Sequence, residues 1–93
     1  MVSLKNFKKL SFLVYGLGLT GQSVVKFFEK NKIKKYLVWD DKNINLYKSK
    51  RAINLSKALR EVNYIVLSPG INLKNLKKKI INFLNLKKRL LPI

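Results

Sequence analysis

The part of the chain whose residue types and spacing point most directly to chemistry is a glycine-rich loop. Residues 16–21 read Gly-Leu-Gly-Leu-Thr-Gly, a Gly-x-Gly-x-x-Gly pattern that follows an apolar run and opens a helical pattern. Glycines there permit a tight turn, and the N–H groups at the start of the next helix attract anions. The pattern predicts an anion site where Gly18 lets a ligand approach and Thr20 caps the helix or donates its hydroxyl to a phosphate. A turn that needs its glycines only for packing is the alternative.

A second group of polar residues, Asp40 with its neighbours Asp41 and Lys42, follows another apolar run. Asp40 lies 22 positions after Gly18, where a dinucleotide-binding fold places the acid that binds ribose hydroxyls. Asp41 and Lys42 add further acceptors and a cation beside it. These residues predict a ligand-binding corner, and an ordinary polar loop or helix cap is the alternative.

A third segment, residues 68–70, reads Ser-Pro-Gly. Proline restricts one backbone dihedral and glycine allows a positive φ, so the sequence predicts a rigid turn. The Ser68 hydroxyl and the Gly70 N–H are the groups that can face a phosphate there. A simple β-to-α turn is the alternative.

All three segments follow apolar runs typical of strands buried in a parallel sheet, at residues 10–15, Tyr36–Trp39 and Tyr64–Leu67. Between them, apolar residues at helical spacing predict helices over about 20–31, 55–62 and 73–84, whereas residues 42–53 have no clear period. The pattern predicts an α/β fold, a Rossmann-like parallel sheet that is partial, with about three βα units. The polar segments then share the edge where open α/β sheets bind ligands.

Composition narrows the kinds of site that the chain can hold. It has no cysteine, no histidine and only four acidic residues, so we predict no catalytic residue and no metal site. Of the 21 basic residues behind the net charge of +17, 18 are lysines. Because arginine dominates specific nucleic-acid readout, we attribute this excess to A/T-rich codons and expect no specific nucleic-acid partner. No apolar run is long enough for a membrane span, so we expect a cytoplasmic protein without a membrane partner.

Taken together, residues 16–23, 39–42 and 67–71 resemble the N-terminal domain of the Mur ligases, with most similarity to the branch that adds D-glutamate. The resemblance covers about residues 8–82. It implies an ATP-dependent ligase of peptidoglycan synthesis that joins D-glutamate to UDP-N-acetylmuramoyl-L-alanine through an acyl phosphate. In that family the first domain holds the UDP part of the substrate. The second domain holds ATP and Mg²⁺, and the third receives the amino acid.

The resemblance also implies a role for each matching position. It implies that Leu19 and Thr20, beside Gly18, meet the diphosphate. A second group surrounds the uracil, namely Asp40, Asp41 and Lys42. A third group, Ser68 and Gly70, closes over the diphosphate and its sugar.

The resemblance ends before the end of the chain. We therefore predict a partial UDP-substrate-binding domain over residues 1–86 and a divergent basic tail over 87–93. No Gly-x-x-x-x-Gly-Lys-Ser/Thr loop occurs, so we expect no cofactor in this chain and assign ATP and Mg²⁺ to a full-length enzyme. The isolated chain is expected to be a monomeric, inactive fragment. A small NAD-type binding module and a basic nucleic-acid-binding domain are the alternatives.

Overall fold

The computed structural model describes residues 8–67 and 90–92 of the chain. Its elements, in chain order, are β1 (Phe12–Tyr15), α1 (Leu19–Lys30), β2 (Tyr36–Trp39), a 3-10 helix (Lys48–Lys50), α2 (Leu55–Glu61), β3 (Tyr64–Leu67) and β4 (Leu90–Pro92). The three predicted strands and the first two predicted helices are confirmed, and their boundaries differ from the predicted ones by at most two residues. The predicted turn at 68–70 and the predicted helix at 73–84 lie outside the described residues.

The strands form one parallel sheet in the order β2-β1-β3-β4. Val14 in β1 lies between Val38 of β2 and Val66 of β3, so β1, β2 and β3 are in matching register. This arrangement confirms the α/β, Rossmann-like parallel sheet. Because β2 and β3 flank β1 on opposite sides, the chain changes direction at β1, and such switch points open a crevice at the carboxyl ends of the strands.

The sheet is covered on both faces because successive strand residues point to opposite sides. Phe12 and Val14 pack with Val25 and Phe28 of α1 on one face. On the other face Leu13, Tyr15 and Ile65 pack with Ala58 and Leu59 of α2. The apolar helix positions expected from the sequence therefore face the sheet, and the two helices lie on opposite sides of it.

A fourth strand lies within residues 87–93, the segment predicted to be a divergent basic tail. Leu90–Pro92 pairs in parallel with Ile65–Leu67, so part of that segment belongs to the sheet. The physical reason is that β3 has backbone groups along its outer side that need hydrogen-bond partners. Pro92 ends the strand at the sheet edge, where a residue without an N–H is tolerated. Three residues beside a basic run are too few to produce a recognisable strand pattern.

Candidate functional site at the carboxyl edge of the sheet

The glycine loop leaves β1 through a turn that only glycine adopts easily. Gly16 has a φ of 103°, and its N–H donates a hydrogen bond to the Trp39 carbonyl at 2.7 Å. A Cβ at Gly21 would overlap the Gly16 carbonyl oxygen and lie 3.7 Å from Val14 Cγ1. Gly21 therefore allows close packing of α1 against the loop and β1, whereas a Cβ at Gly18 would meet no atom within 4 Å. The backbone conformation explains Gly16 and close packing explains Gly21, but neither explains Gly18.

Helix α1 begins beside this open position. Gly18 is its N-cap in an extended conformation, and the first helical hydrogen bond runs from Gln22 N to Gly18 O at 3.0 Å. The N–H groups of Leu19, Thr20 and Gly21 precede that bond, and the glycine cap has no side chain to satisfy them. Because Gly18 is the N-cap, Thr20 lies inside the helix and does not cap it as one prediction held. The other predicted role of Thr20, donation of its hydroxyl to a phosphate, stays a prediction. The Leu19 side chain is 87% exposed.

Asp40 lies directly after β2, and its carboxylate accepts three backbone hydrogen bonds. Oδ2 accepts from Leu17 N at 2.6 Å, in the glycine loop, while Oδ1 accepts from Lys42 N at 2.8 Å and Asn43 N at 2.9 Å. Burial by itself raises the pKa of Asp40, but the hydrogen bonds from Asn43, Leu17 and Lys42 outweigh it and hold the pKa below its ordinary value. Asp40 is therefore an ionised residue that joins the glycine loop to the turn after β2.

The peptide at Leu17 is also held at its carbonyl group. Gln22 donates from Nε2 to Leu17 O at 3.0 Å, while the Leu17 side chain is fully buried. Sequence reasoning assigned no role to Gln22. The only available signal was its position one residue after the last glycine of the loop.

A second group of contacts surrounds Trp39 at the end of β2. The Arg51 guanidinium lies 4.1 Å from the centre of the Trp39 ring and donates from Nη1 to Asp40 O at 2.9 Å. Trp39 Nε1 donates to Asp41 Oδ1 at 2.9 Å, and Lys42 is exposed beside it. Arg51 was missed because it lies in the segment without a period, and its bridge to Val38 becomes visible only in the fold.

The structure thus brings two of the three expected groups to one edge of the sheet. Gly18, Leu19 and Thr20 lie after β1, and Asp40, with Asp41 and Lys42, lies after β2. Ser68 and Gly70 follow β3 but lie outside the described residues. Within the part of the chain that the structure describes, no group of three acidic side chains is placed to hold a metal ion, and no helix is long and apolar enough to cross a membrane.

The fold and this edge define a class of protein: a doubly wound α/β domain with a glycine loop and an open helix N-terminus at its switch point, the arrangement used for nucleotides and other phosphate ligands. A family model described as the Mur ligase MurD-like N-terminal domain matches residues 10–85.

The chain belongs to this Mur ligase family, which acts in peptidoglycan synthesis. In general, the N-terminal domain of the family binds a UDP-muramoyl substrate. No curated protein and no solved structure matches the chain significantly.

Proposed function

We propose that this domain binds the UDP part of UDP-N-acetylmuramoyl-L-alanine for a ligase that adds D-glutamate to it. The observation that carries the proposal is the hydrogen bond from Leu17 N to Asp40 Oδ2, which joins the loop before α1 to the corner after β2. One nucleotide can therefore contact both groups. The resemblance of the glycine loop to the D-glutamate-adding branch, together with the MurD-like family model, supports the choice of amino acid.

The start of α1 suits the diphosphate. The N–H groups of Leu19 and Thr20 point out of the first turn, and the helix dipole adds positive potential there. Gly18 leaves the space above this turn open, since a Cβ at that position would contact nothing. The exposed Leu19 side chain offers an apolar surface beside the same N–H groups.

The corner after β2 suits uracil better than the ribose of NAD. The resemblance to the Mur ligases implies that this corner surrounds the uracil. A carboxylate has about four acceptor positions. Asp40 accepts three backbone N–H groups and a further hydrogen bond from the Asn43 side chain, so it has little acceptor capacity left for the two ribose hydroxyls of NAD. This disfavours the NAD-type module.

ATP and Mg²⁺ do not fit the residues of this edge. Mg²⁺ is usually held by carboxylates together with substrate phosphates, and the described residues contain no cluster of acids for it. The glycine loop also lacks the lysine of an ATP-binding phosphate loop. We therefore assign ATP, Mg²⁺ and D-glutamate to other parts of the ligase.

The 93-residue chain should release no ADP when mixed with ATP, Mg²⁺, D-glutamate and the UDP substrate. Stoichiometric, D-glutamate-dependent release of ADP would contradict this assignment.

The binding proposal can be tested with the fluorescence of Trp39, the only tryptophan of the chain. Titration with UDP or UMP should change its emission, because the ring lies at the corner assigned to uracil, and calorimetry should give the same dissociation constant. NAD and AMP should compete at least tenfold more weakly. Equal displacement of UDP by NAD would contradict the proposal and support a dinucleotide module, whereas no response to any nucleotide would contradict both.

A further inference from the structure

We propose that Asp40 is a positioning residue that holds the glycine loop in its phosphate-binding shape, so that binding at the start of α1 depends on a carboxylate after β2. The inference rests on the proposed function, since it concerns the same edge. It assigns Asp40 an effect on the diphosphate half of the ligand, which Asp40 itself does not need to touch.

The contacts around Leu17 support this role. Asp40 Oδ2 accepts the Leu17 N–H at 2.6 Å, Gln22 Nε2 donates to the Leu17 carbonyl at 3.0 Å, and Gly16 N–H is held by the Trp39 carbonyl at 2.7 Å. Three hydrogen bonds therefore hold two successive residues of the loop. These residues lead directly into Gly18 and the first turn of α1, so they determine where the open N–H groups point.

The negative charge of Asp40 also supports a positioning role. A carboxylate near a phosphate site repels the ligand, so its contribution to phosphate binding has to come from geometry. The geometry requires two acceptor oxygens, because Oδ2 faces the glycine loop while Oδ1 faces the N–H groups of Lys42 and Asn43. Asparagine has only one such oxygen and must leave one side without its acceptor.

The test compares Asp40→Asn with the parent chain, using inorganic pyrophosphate and UDP as separate probes in calorimetric titrations. Pyrophosphate has no base or ribose and reports on the start of α1 alone. If Asp40 positions the loop, both ligands should bind at least tenfold more weakly to Asp40→Asn. The lost negative charge alone would strengthen pyrophosphate binding, so weakening cannot come from the change in charge.

Glu61→Gln is the matched control. It makes the same carboxylate-to-amide change at an exposed residue that ends α2, away from the glycine loop. This variant should bind pyrophosphate and UDP with affinities within twofold of the parent chain. A tenfold loss in Glu61→Gln as well would overturn the inference, since the effect would then not depend on the contact between Asp40 and Leu17.

The possible results separate the two proposals. Weaker UDP binding with unchanged pyrophosphate binding in Asp40→Asn would overturn the positioning role and leave the proposed function standing. If the parent chain binds neither ligand, the proposed function fails. If Asp40→Asn does not fold, the parent chain itself provides the test. An NMR scalar coupling across the hydrogen bond is expected between Leu17 N and Asp40 Cγ, and its absence would overturn the inference.

Discussion

The two edges of the sheet contain the same kind of contact in different surroundings. At the carboxyl edge, Asp40 accepts the backbone N–H of Leu17 across the sheet. At the amino edge, Asn63 before β3 accepts the backbone N–H of Ser11 before β1 at 2.8 Å, and Ser11 Oγ accepts the N–H of Asn63 at 3.0 Å. Each contact joins two segments that are far apart in the sequence.

The difference lies in what surrounds each contact. The carboxyl edge carries the start of α1 with its open N–H groups, whereas the amino edge carries its end, where backbone carbonyls are exposed. A cavity of about 480 Å³ lies at the amino edge, and its lining includes Lys34, Lys35 and Glu61. We place the phosphate at the carboxyl edge although this cavity is elsewhere, because directed backbone N–H groups define an anion site better than mobile lysine side chains do. Under the proposed function, only the bridging contact that lies beside the start of a helix contributes to binding.

Gly21→Ala should produce the largest loss in the free energy of unfolding. It tests whether Gly21 serves the packing of the carboxyl edge. The added Cβ would overlap the backbone carbonyl of Gly16, which cannot move without breaking its turn. We expect a loss of about 3 kcal/mol in the free energy of unfolding, measured by urea denaturation. A loss below about 0.5 kcal/mol would show that α1 does not pack closely against the Gly16 carbonyl.

Gly18→Val should separate binding from stability at the same edge. Its side chain would enter open space above the first turn of α1, so UDP binding should fall at least tenfold while the free energy of unfolding falls by only about 1 kcal/mol, the usual size of an N-cap effect. Ser23→Val, which adds the same side chain at an exposed position one turn later, should bind UDP normally. Unchanged affinity in Gly18→Val would remove the glycine loop from the binding site.

Asn63→Ala tests the amino edge. The variant loses the hydrogen bonds with the N–H and hydroxyl of Ser11, and we expect it to be less stable by about 1 kcal/mol, since the site is exposed. UDP binding, measured at a temperature where both chains are folded, should stay within twofold of the parent value. A selective loss of UDP affinity at full stability would end the functional distinction between the two edges.

Acid should produce the smallest effect, confined to the carboxyl edge. The pKa of Asp40 in the folded chain lies below its ordinary value of 3.8, so its stabilising contribution is complete above that value and is lost as the pH falls through the lowered pKa. Hydrogen exchange at the Leu17 amide should accelerate relative to that at Ser11 in the same acid range. Equal behaviour of both amides would show that the Asp40 carboxylate does not hold Leu17.

Much of the fold could be predicted because its signals are local. Tyr36–Trp39 and Tyr64–Leu67 are short apolar runs, and both strands have the predicted boundaries. β4 could not be predicted, because Leu90–Pro92 is a strand only by virtue of β3 beside it. The position of Asp40 after β2 could be predicted from the sequence, but its three hydrogen-bond partners could not.

By itself, the sequence determined the alternation of strands and helices, the glycine loop after β1 and the acid after β2, because periodicity and turn chemistry depend on neighbouring residues. The tertiary structure alone decided that Asp40 meets Leu17, that Arg51 lies on the Trp39 ring and that Gln22 holds the Leu17 carbonyl. The first two contacts join residues 23 and 12 positions apart, and such contacts form only when the parallel sheet brings the ends of its strands to one edge.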